Sequence, residues 1–374
     1  MRVMIVDDDP WLADLLKQLV FSARPAAAVD CFGDAQSAFD AWQRSRYQLV
    51  LADWNLPDDS GFSLLQRIRQ QDRGTPLVMI TGRSDRESVL SVRPLAISAY
   101  ITKPFDVPKV LACIEQLLPE DATLLATAVS REELPDYLGR LSAADLDLPL
   151  LAGVKERLKL ACQGVPLDFR ELSEQWQHDP ALCAYLIAAA NSAAYGGGGQ
   201  ACVSLPEALK RLGGRTSLNL AVALALRQAC GEDDSLPSLL LREHLEAAER
   251  LAEQVVILAR QAGLDPAPLQ VAALLHRMGE LCVLLQSQKW ASQGNSLDDR
   301  LLGQAIGDFA QPFALGLKSH WGLPMALREL IGAVYALPQV QVRREQVLMR
   351  LAAALCNGES AATVERLRRL AGFG

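Results

Sequence analysis

The segment 49–57 constrains the fold of this chain more than any other stretch. It reads Leu-Val-Leu-Ala-Asp-Trp-Asn-Leu-Pro, so four apolar residues are followed at once by Asp53 and then by a proline. A short, continuous apolar run predicts a buried strand, and the proline predicts a turn soon after it. In an open parallel sheet, ligands bind beyond the carboxyl ends of the strands, which is where Asp53 is expected to lie.

Three further apolar segments also end in polar side chains. Residues 3–10 end in three aspartates and a proline, residues 76–82 contain Thr81 at the strand end, and residues 99–105 contain Lys103. Clustered carboxylates are ligands that Mg²⁺ prefers. A cation and an ammonium together neutralise a phosphoryl group in transfer, and a carboxylate can accept that group covalently. The four strand ends therefore predict phosphoryl chemistry at one edge of a sheet.

With these motifs, residues 1 to about 118 resemble the receiver domain of two-component response regulators. The resemblance implies that Asp53 is the phosphoryl acceptor. It also implies a Mg²⁺ site at Asp53, with Asp8 binding the ion directly and Asp7 through a water molecule. Asn55 would add its backbone carbonyl to the same ion.

The resemblance assigns further roles around the acceptor. Thr81 would close on the phosphoryl oxygen, Lys103 would pair with it, and Tyr100 would act as a rotamer switch. Lys103-Pro104 is expected to be a cis peptide, which only X-Pro bonds tolerate at modest cost. Asn55 and Arg83 occupy positions that face the hydrolytic water in this family. Arg83 is therefore either a residue that holds the phosphate or a solvated surface arginine.

Apolar strands alternate with amphipathic helical segments through this region. That alternation predicts a doubly wound, five-stranded parallel sheet of the α/β class with crossover helices. The predicted strands are 2–6, 26–30, 48–52, 76–80 and 98–102, and the predicted helices are 11–22, 34–45, 60–70, 84–93 and 106–118.

Beyond Pro119 the pattern changes. Residues 119–144 predict a partly helical linker, with Ser130 capping a short helix to about 142. Residues 145–374 show helical periodicity without strand-like alternation, so they predict an all-α domain. The predicted helices are 149–163, 168–177, 179–195, 204–212, 214–230, 237–262, 266–287, 298–318, 323–336 and 340–370 with a break near 357.

Several different motifs follow one another along this second region. They are Gln-His-Asp-Pro-Ala-Leu at 177–182, Ala-Asn-Ser-Ala-Ala-Tyr at 190–195, Ser-Leu-Pro-Glu-Ala-Leu at 204–209, Leu-Leu-His-Arg-Met-Gly-Glu-Leu at 274–281 and His-Trp-Gly-Leu-Pro at 320–324. Together they resemble an HDOD domain, a degenerate relative of the HD metal-dependent phosphohydrolases.

Position 277 departs from the catalytic relatives, which carry adjacent His and Asp as metal ligands. Here His276 is followed by Arg277, which offers no lone pair and stays charged. His244 and His276 without carboxylates make a poor hydrolytic metal site. We therefore expect structural histidines, no cofactor in this domain, and an Arg277–Glu280 pair at i,i+3. A cyclic-dinucleotide or other nucleotide sensor and a residual phosphohydrolase stay open as alternatives.

The composition of the chain argues against several other classes of protein. The net charge is −7, which argues mildly against nucleic-acid binding, and the eight cysteines form no Cys-x-x-Cys pair. The longest apolar run, 181–190, is too short to cross a bilayer, and no leader-like segment precedes the first strand. We expect a cytoplasmic protein that binds neither nucleic acid nor a membrane.

The combined expectation is a phosphorylation-regulated signalling protein. A histidine kinase or histidine phosphotransfer protein would donate phosphoryl to Asp53, and Mg²⁺ would assist in the receiver domain. The helical domain would then act as a non-catalytic surface for an unknown downstream protein. The resemblance leaves homodimerisation open, because receivers often pair through the face that carries their last helices.

Overall fold

The computed structural model describes residues 1–82, 95–118, 132–162, 168–196, 200–228 and 236–373. The chain divides into two compact units, neither of which is continuous in sequence. Unit 1 comprises Met1–Thr127, Glu156–Leu167 and Gly214–Arg227, and unit 2 comprises Ala128–Lys155, Asp168–Gly213 and Gln228–Gly374.

The described residues of unit 1 form a five-stranded parallel sheet in the order β2-β1-β3-β4-β5. The strand order reverses between β1 and β3, which is the switch point where open parallel sheets bind ligands. All five predicted strands are confirmed, with small shifts at their ends. They are β1 Arg2–Val6, β2 Ala28–Phe32, β3 Leu49–Asp53, β4 Leu77–Thr81 and β5 Ala99–Thr102.

Helices flank this sheet on both faces, as the alternating pattern predicts. They are α1 Pro10–Ala23, α2 Ala35–Arg44, α3 Gly61–Gln71 and α4 Val107–Leu117. Each begins after a side chain that accepts a hydrogen bond from the first turn, which satisfies one of the free backbone N–H groups there. These capping residues are Asp9, Asp34, Ser60 and Asp106. The predicted helix 84–93 and Arg83 lie outside the described residues.

Alternate strand residues fill the core on one face of the sheet. Met4, Val50 and Met79 are fully buried there, and Phe39 and Leu65 pack against them from α2 and α3. The intervening strand residues point to the opposite face because successive side chains in a strand alternate. The sheet is therefore covered on both faces, while its carboxyl edge carries the polar strand ends.

The described residues after 131 contain helices and no strand, which confirms the all-α prediction. A 3₁₀ helix spans Ala143–Asp145. The α-helices are α5 Leu134–Arg140, α6 Ala152–Cys162, α7 Phe169–Trp176, α8 Pro180–Ala190, α9 Leu205–Leu212, α10 Gly214–Arg227, α11 Leu236–Gln261, α12 Ala267–Leu274, α13 Met278–Ala291, α14 Asp299–His320, α15 Met325–Ala333, α16 Arg344–Cys356 and α17 Ala361–Ala371. Ser130 lies outside the described residues, and the short helix α5 begins at Leu134 with Glu133 as its N-cap residue.

Helix α10 packs within unit 1, although its sequence lies far beyond the sheet. It lies against α1. Asn219 of α10 donates a hydrogen bond from Nδ2 to Phe105 O at 3.0 Å, and the Arg215 guanidinium lies 3.4 Å from Asp106 Oδ2. Both α10 contacts therefore fall on the loop between β5 and α4.

One helix prediction is wrong in unit 2. The expected single helix 266–287 is two helices, α12 and α13, whose axes are bent by 44° at residues 275–277. The sequence there contains no proline, and its one nearby glycine, Gly279, lies inside α13. A Cβ on Gly279 would lie 2.0 Å from Ala310 O, so the lack of a side chain at Gly279 lets α13 approach α14 closely.

Asp179 anchors the start of α8 in unit 2. Its two carboxylate oxygens accept hydrogen bonds from Leu182 N at 2.8 Å and Leu151 N at 2.7 Å. Complete burial raises the pKa of Asp179 to about 6, although these backbone donors oppose the shift. The carboxylate thus caps α8 and also ties down the segment that precedes α6.

Within the described residues, no single helix is both long and apolar enough to span a membrane. The bent pair α12 and α13 reaches that length and composition when the two helices are counted together.

Candidate functional site

Three carboxylates meet at the carboxyl edge of the sheet. Asp7 and Asp8 directly follow β1, and Asp53 ends the neighbouring strand β3. One oxygen from each lies within 4.8 Å of the others. Asp7 and Asp53 are buried, while Asp8 is exposed. The fold therefore brings together the three acids that the sequence singles out, with Asp8 at the entrance.

Lys103 bridges two of these acids. Its Nζ lies 2.9 Å from Asp7 Oδ2 and 2.8 Å from Asp53 Oδ2. Burial alone would lower the pKa of Lys103, but the charges and hydrogen bonds of the two carboxylates outweigh it and raise the pKa. Lys103 stays protonated and holds its ammonium at the Asp53 carboxylate. The Lys103-Pro104 peptide bond is cis, as expected.

Asp7 is the most perturbed acid of the cluster. Burial raises its pKa to about 6, and the Asp53 charge adds to this rise, while the Lys103 ammonium opposes it. Asp7 Oδ1 also accepts a hydrogen bond from Asp9 N at 3.0 Å. The free energy cost of burying this carboxylate is therefore only partly offset by its neighbours, and a further cation would be stabilising there.

The residues present fit a magnesium ion. Asp53 Oδ1 is buried and has no hydrogen-bond partner, which is unusual for a buried carboxylate oxygen. The donor set is entirely carboxylate oxygen, the hard ligand type that Mg²⁺ prefers. Asp7, Asp8 and Asp53 are the side chains that would hold the ion. Asn55 is exposed and its backbone forms a bridge with Ser60, so its carbonyl contact stays a prediction.

Thr81 and Tyr100 lie on the next two strands. Thr81 is fully buried at the end of β4, one residue past Ile80, which pairs in register with Asp53. Tyr100 pairs with Met79 across β4 and β5 and packs half-buried against the core. This geometry places Thr81 next to β3, the strand that ends in Asp53. The roles of both residues in switching stay predictions.

Gly61 is a residue of this site that the sequence reasoning missed. A Cβ at this position would lie 1.8 Å from Asp53 O, and the Gly61 backbone N–H donates to Trp54 O at 2.9 Å. Only glycine therefore lets α3 begin against the end of β3. The signal in the sequence is Ser60-Gly61, a helix cap followed by glycine shortly after Asp53.

Comparison with known proteins assigns both parts of the chain. The HDOD domain model matches residues 148–337, and the response regulator receiver domain model matches residues 3–115. The chain belongs to the HDOD family. It combines a receiver domain of a two-component response regulator with an HDOD domain, as the order of motifs indicates.

Two curated relatives match between 30% and 40% of this chain. The virulence transcriptional regulatory protein PhoP of Shigella flexneri is 29% identical over 148 residues, covering 40% of this chain and 64% of PhoP. The transcriptional regulatory protein DltR of Streptococcus agalactiae serotype III is 32% identical over 114 residues, covering 30% of this chain and 50% of DltR. The chain thus spans between half and two thirds of the length of these two relatives.

Solved receiver structures match a similar share of this chain. The chemotaxis response regulator CheY4 of Vibrio cholerae shows 23% identity and a TM-score of 0.29, covering 31% of this chain and 98% of CheY4. The signal receiver domain of an HD domain-containing protein from Pseudomonas fluorescens Pf-5 shows 28% identity and a TM-score of 0.29, covering 31% of this chain and 85% of that domain.

The HDOD domain places its two candidate histidines around Arg277. Arg277 Nε donates to His276 Nε2 at 3.2 Å, and Nη1 lies 3.1 Å from His244 Nδ1. No ion pair joins Arg277 to Glu280 among the described residues, so the expected i,i+3 pair is replaced by contacts with imidazoles. The guanidinium therefore contacts both imidazole rings.

Proposed function

We propose that this chain is a phosphorylation-regulated response regulator in which Asp53 accepts a phosphoryl group from a histidine kinase or a histidine phosphotransfer protein. The observation that carries the proposal is the state of the Asp53 carboxylate. Its Oδ2 contacts the Lys103 ammonium at 2.8 Å, while its buried Oδ1 has no hydrogen-bond partner. Such a carboxylate can act as a nucleophile beside a fixed positive charge.

The transfer itself is a simple displacement. A carboxylate oxygen of Asp53 attacks the phosphorus of phosphohistidine, the P–N bond breaks, and the departing imidazole takes up a proton. Lys103 neutralises the charge on the phosphoryl oxygens during transfer, and Thr81 would hydrogen-bond one of them. Mg²⁺, when bound by Asp7, Asp8 and Asp53, would supply additional positive charge.

The HDOD domain is proposed as a non-catalytic output that binds a downstream protein of unknown identity. Support comes from Arg277, whose N–H groups lie against the imidazole nitrogens that a hydrolytic metal would need at His244 and His276. A permanently charged guanidinium at this position also repels a metal cation. These contacts favour a binding role over a residual phosphohydrolase.

The test is size-exclusion chromatography with small-angle scattering and mass measurement, with and without beryllofluoride and Mg²⁺. Wild type is compared with Asp53→Ala and with the control Asp59→Ala, an exposed acid in the same loop. We expect a change of shape or mass in wild type and Asp59→Ala only. The same response in Asp53→Ala would refute Asp53 as the acceptor, and the measured mass also tests homodimerisation.

A further inference from the structure

The contacts of Arg277 fix the protonation of both neighbouring histidines. His276 Nδ1 lies 2.6 Å from Ala273 O, so Nδ1 carries the proton and Nε2 presents its lone pair to Arg277 Nε. Burial lowers the pKa of His276 to about 4 and also lowers that of His244, and the Arg277 charge adds to both shifts. Both rings are therefore neutral acceptors, and these two bonds use two of the five guanidinium N–H groups.

A cavity of about 300 Å³ opens beside this guanidinium within unit 2. Arg250 of α11 contributes a second positive charge, and the N-terminus of α13 adds a partial positive charge because Arg277 is its N-cap residue. The volume lies at the lower end of the range of about 300–1,000 Å³ that is typical of small-molecule sites.

The same cavity also carries groups that accept hydrogen bonds. Glu280 lines it, as do Tyr335 and Asn357, which lie at the C-terminal ends of α15 and α16. Helix C-terminal ends carry a partial negative charge. Tyr335 donates its hydroxyl to His276 O at 2.7 Å, so its ring is fixed at the rim. A plain anion would meet Glu280 as a like charge, whereas a ligand with hydroxyl donors would pair with it.

We propose that this cavity binds a small phosphorylated sugar, with the phosphoryl oxygens on Arg277 and Arg250 and the hydroxyl groups directed to Glu280. Guanidinium groups bind phosphate through paired hydrogen bonds, and Arg277 is held in position by the two imidazoles. The proposal extends beyond the receiver function, because the cavity lies in unit 2 and uses no residue of the Asp53 site.

The test is calorimetric titration of the full chain with ribose 5-phosphate, inorganic phosphate and ribose. We expect saturable binding of ribose 5-phosphate, weaker binding of phosphate, and none of ribose. Arg277→Gln and Arg250→Gln should each weaken binding by roughly tenfold, the loss typical of a charge-assisted hydrogen bond. Glu280→Gln should reduce the ratio of the affinity for ribose 5-phosphate to the affinity for inorganic phosphate. Arg300→Gln, an exposed control on α14, should bind as wild type does.

Two variants separate binding at this cavity from misfolding and from the receiver site. Arg250 is exposed, so Arg250→Gln should fold even if Arg277→Gln does not. Asp53→Ala should bind ribose 5-phosphate as tightly as wild type, because the receiver site plays no part. The proposal would be overturned if ribose 5-phosphate showed no saturable binding, or if ribose bound as tightly as ribose 5-phosphate. It would also be overturned if Arg250→Gln bound ribose 5-phosphate as tightly as wild type, or if Asp53→Ala did not bind it.

Discussion

Asn219 Nδ2 donates a hydrogen bond to Phe105 O, and Phe105 lies two residues after Lys103, which contacts the Asp53 carboxylate. Asn219 and Phe105 are both buried, so the bond is shielded from water. The 3.0 Å bond coexists with the direct contact between Lys103 and Asp53. A phosphoryl group on Asp53 would take Lys103 away from Oδ2, and the short chain to Phe105 would carry that displacement to α10.

Asn219→Ala should therefore make activation easier. The variant removes a hydrogen bond that belongs to the state in which Lys103 pairs directly with Asp53, and such a bond contributes about 1 kcal/mol. We expect roughly fivefold tighter binding of beryllofluoride in the presence of Mg²⁺. The fluorescence of Trp54, which directly follows Asp53, provides the titration signal.

The matched control for this prediction is Arg215→Ala on the same helix. Arg215 makes an exposed 3.4 Å contact with Asp106, and surface ion pairs contribute little. Its beryllofluoride affinity should equal that of wild type. An unchanged or weaker affinity in Asn219→Ala would show that the bond does not report on the acceptor.

Gly61→Ala should distort the end of β3 at Asp53. The new methyl group would overlap Asp53 O, so either α3 or the strand must move, at a cost of about 1–3 kcal/mol in the free energy of unfolding. Phosphorylation by acetyl phosphate should slow as well, because Asp53 shifts relative to Lys103. Gly33→Ala is the control, since no heavy atom lies within 4 Å of a Cβ there. Equal effects of the two substitutions on urea unfolding and phosphorylation would contradict this explanation.

The cluster of polar side chains at the carboxyl edge of the sheet could be predicted from sequence because its geometry follows from local rules. Apolar runs that end in Asp7, Asp53, Thr81 and Lys103 predict parallel strands, and parallel strands end at the same edge. The contact between Lys103 and the two acids then follows from the fold. Gly61 could not be predicted in this way. Its constraint is the short distance between a Cβ at that position and Asp53 O, and a pattern of residue types does not contain this distance.

In the helical region, local sequence patterns do not predict how the helices are arranged. Periodicity predicts that a segment is helical but does not report the direction of its axis, so the bend between α12 and α13 was missed. The pairing of Arg277 with His244 joins residues 33 positions apart through packing of α11 on the bend. Local spacing instead favoured Glu280 as the partner. The grouping of α10 with the sheet likewise depends on tertiary contacts such as that of Asn219 with Phe105.

His276 should make the HDOD domain less stable in acid. Its pKa is about 4 in the fold because of burial, below the value of 6.5 in an unfolded chain. Between these values the unfolded chain binds a proton that the folded chain does not, so stability falls as the pH drops from 6.5 to 4. The loss amounts to at most about 3 kcal/mol.

This prediction is checked by urea unfolding of wild type and His276→Gln across that pH range. The stability of wild type relative to the variant should decline toward pH 4. Asp179, whose pKa is raised to about 6, acts in the opposite direction, but it is present in both proteins and cancels. A difference that stays constant with pH would contradict the burial of a neutral imidazole.

Lys103→Met should show separately how the ammonium affects the stability of the fold and how it affects phosphorylation. Without it, the buried carboxylates of Asp7 and Asp53 face each other unpaired, and breaking such a buried pair costs about 3–5 kcal/mol. The stability without Mg²⁺ should fall, although protonation of an acid relieves part of the loss. The affinity for Mg²⁺ should rise roughly tenfold, because a like charge about one ion-pair distance away is removed.

The measurement is urea unfolding at increasing Mg²⁺ concentration. Binding of Mg²⁺ to the folded state raises the free energy of unfolding with the logarithm of the ratio of Mg²⁺ concentration to dissociation constant. Lys109→Met makes the same charge change at an exposed position of α4 and should respond to Mg²⁺ as wild type does. Phosphorylation should nevertheless be lost in Lys103→Met, because the metal cannot replace the ammonium on the transferred group. If Mg²⁺ stabilised Lys103→Met no more than Lys109→Met, the ammonium and the ion would not share this carboxylate cluster.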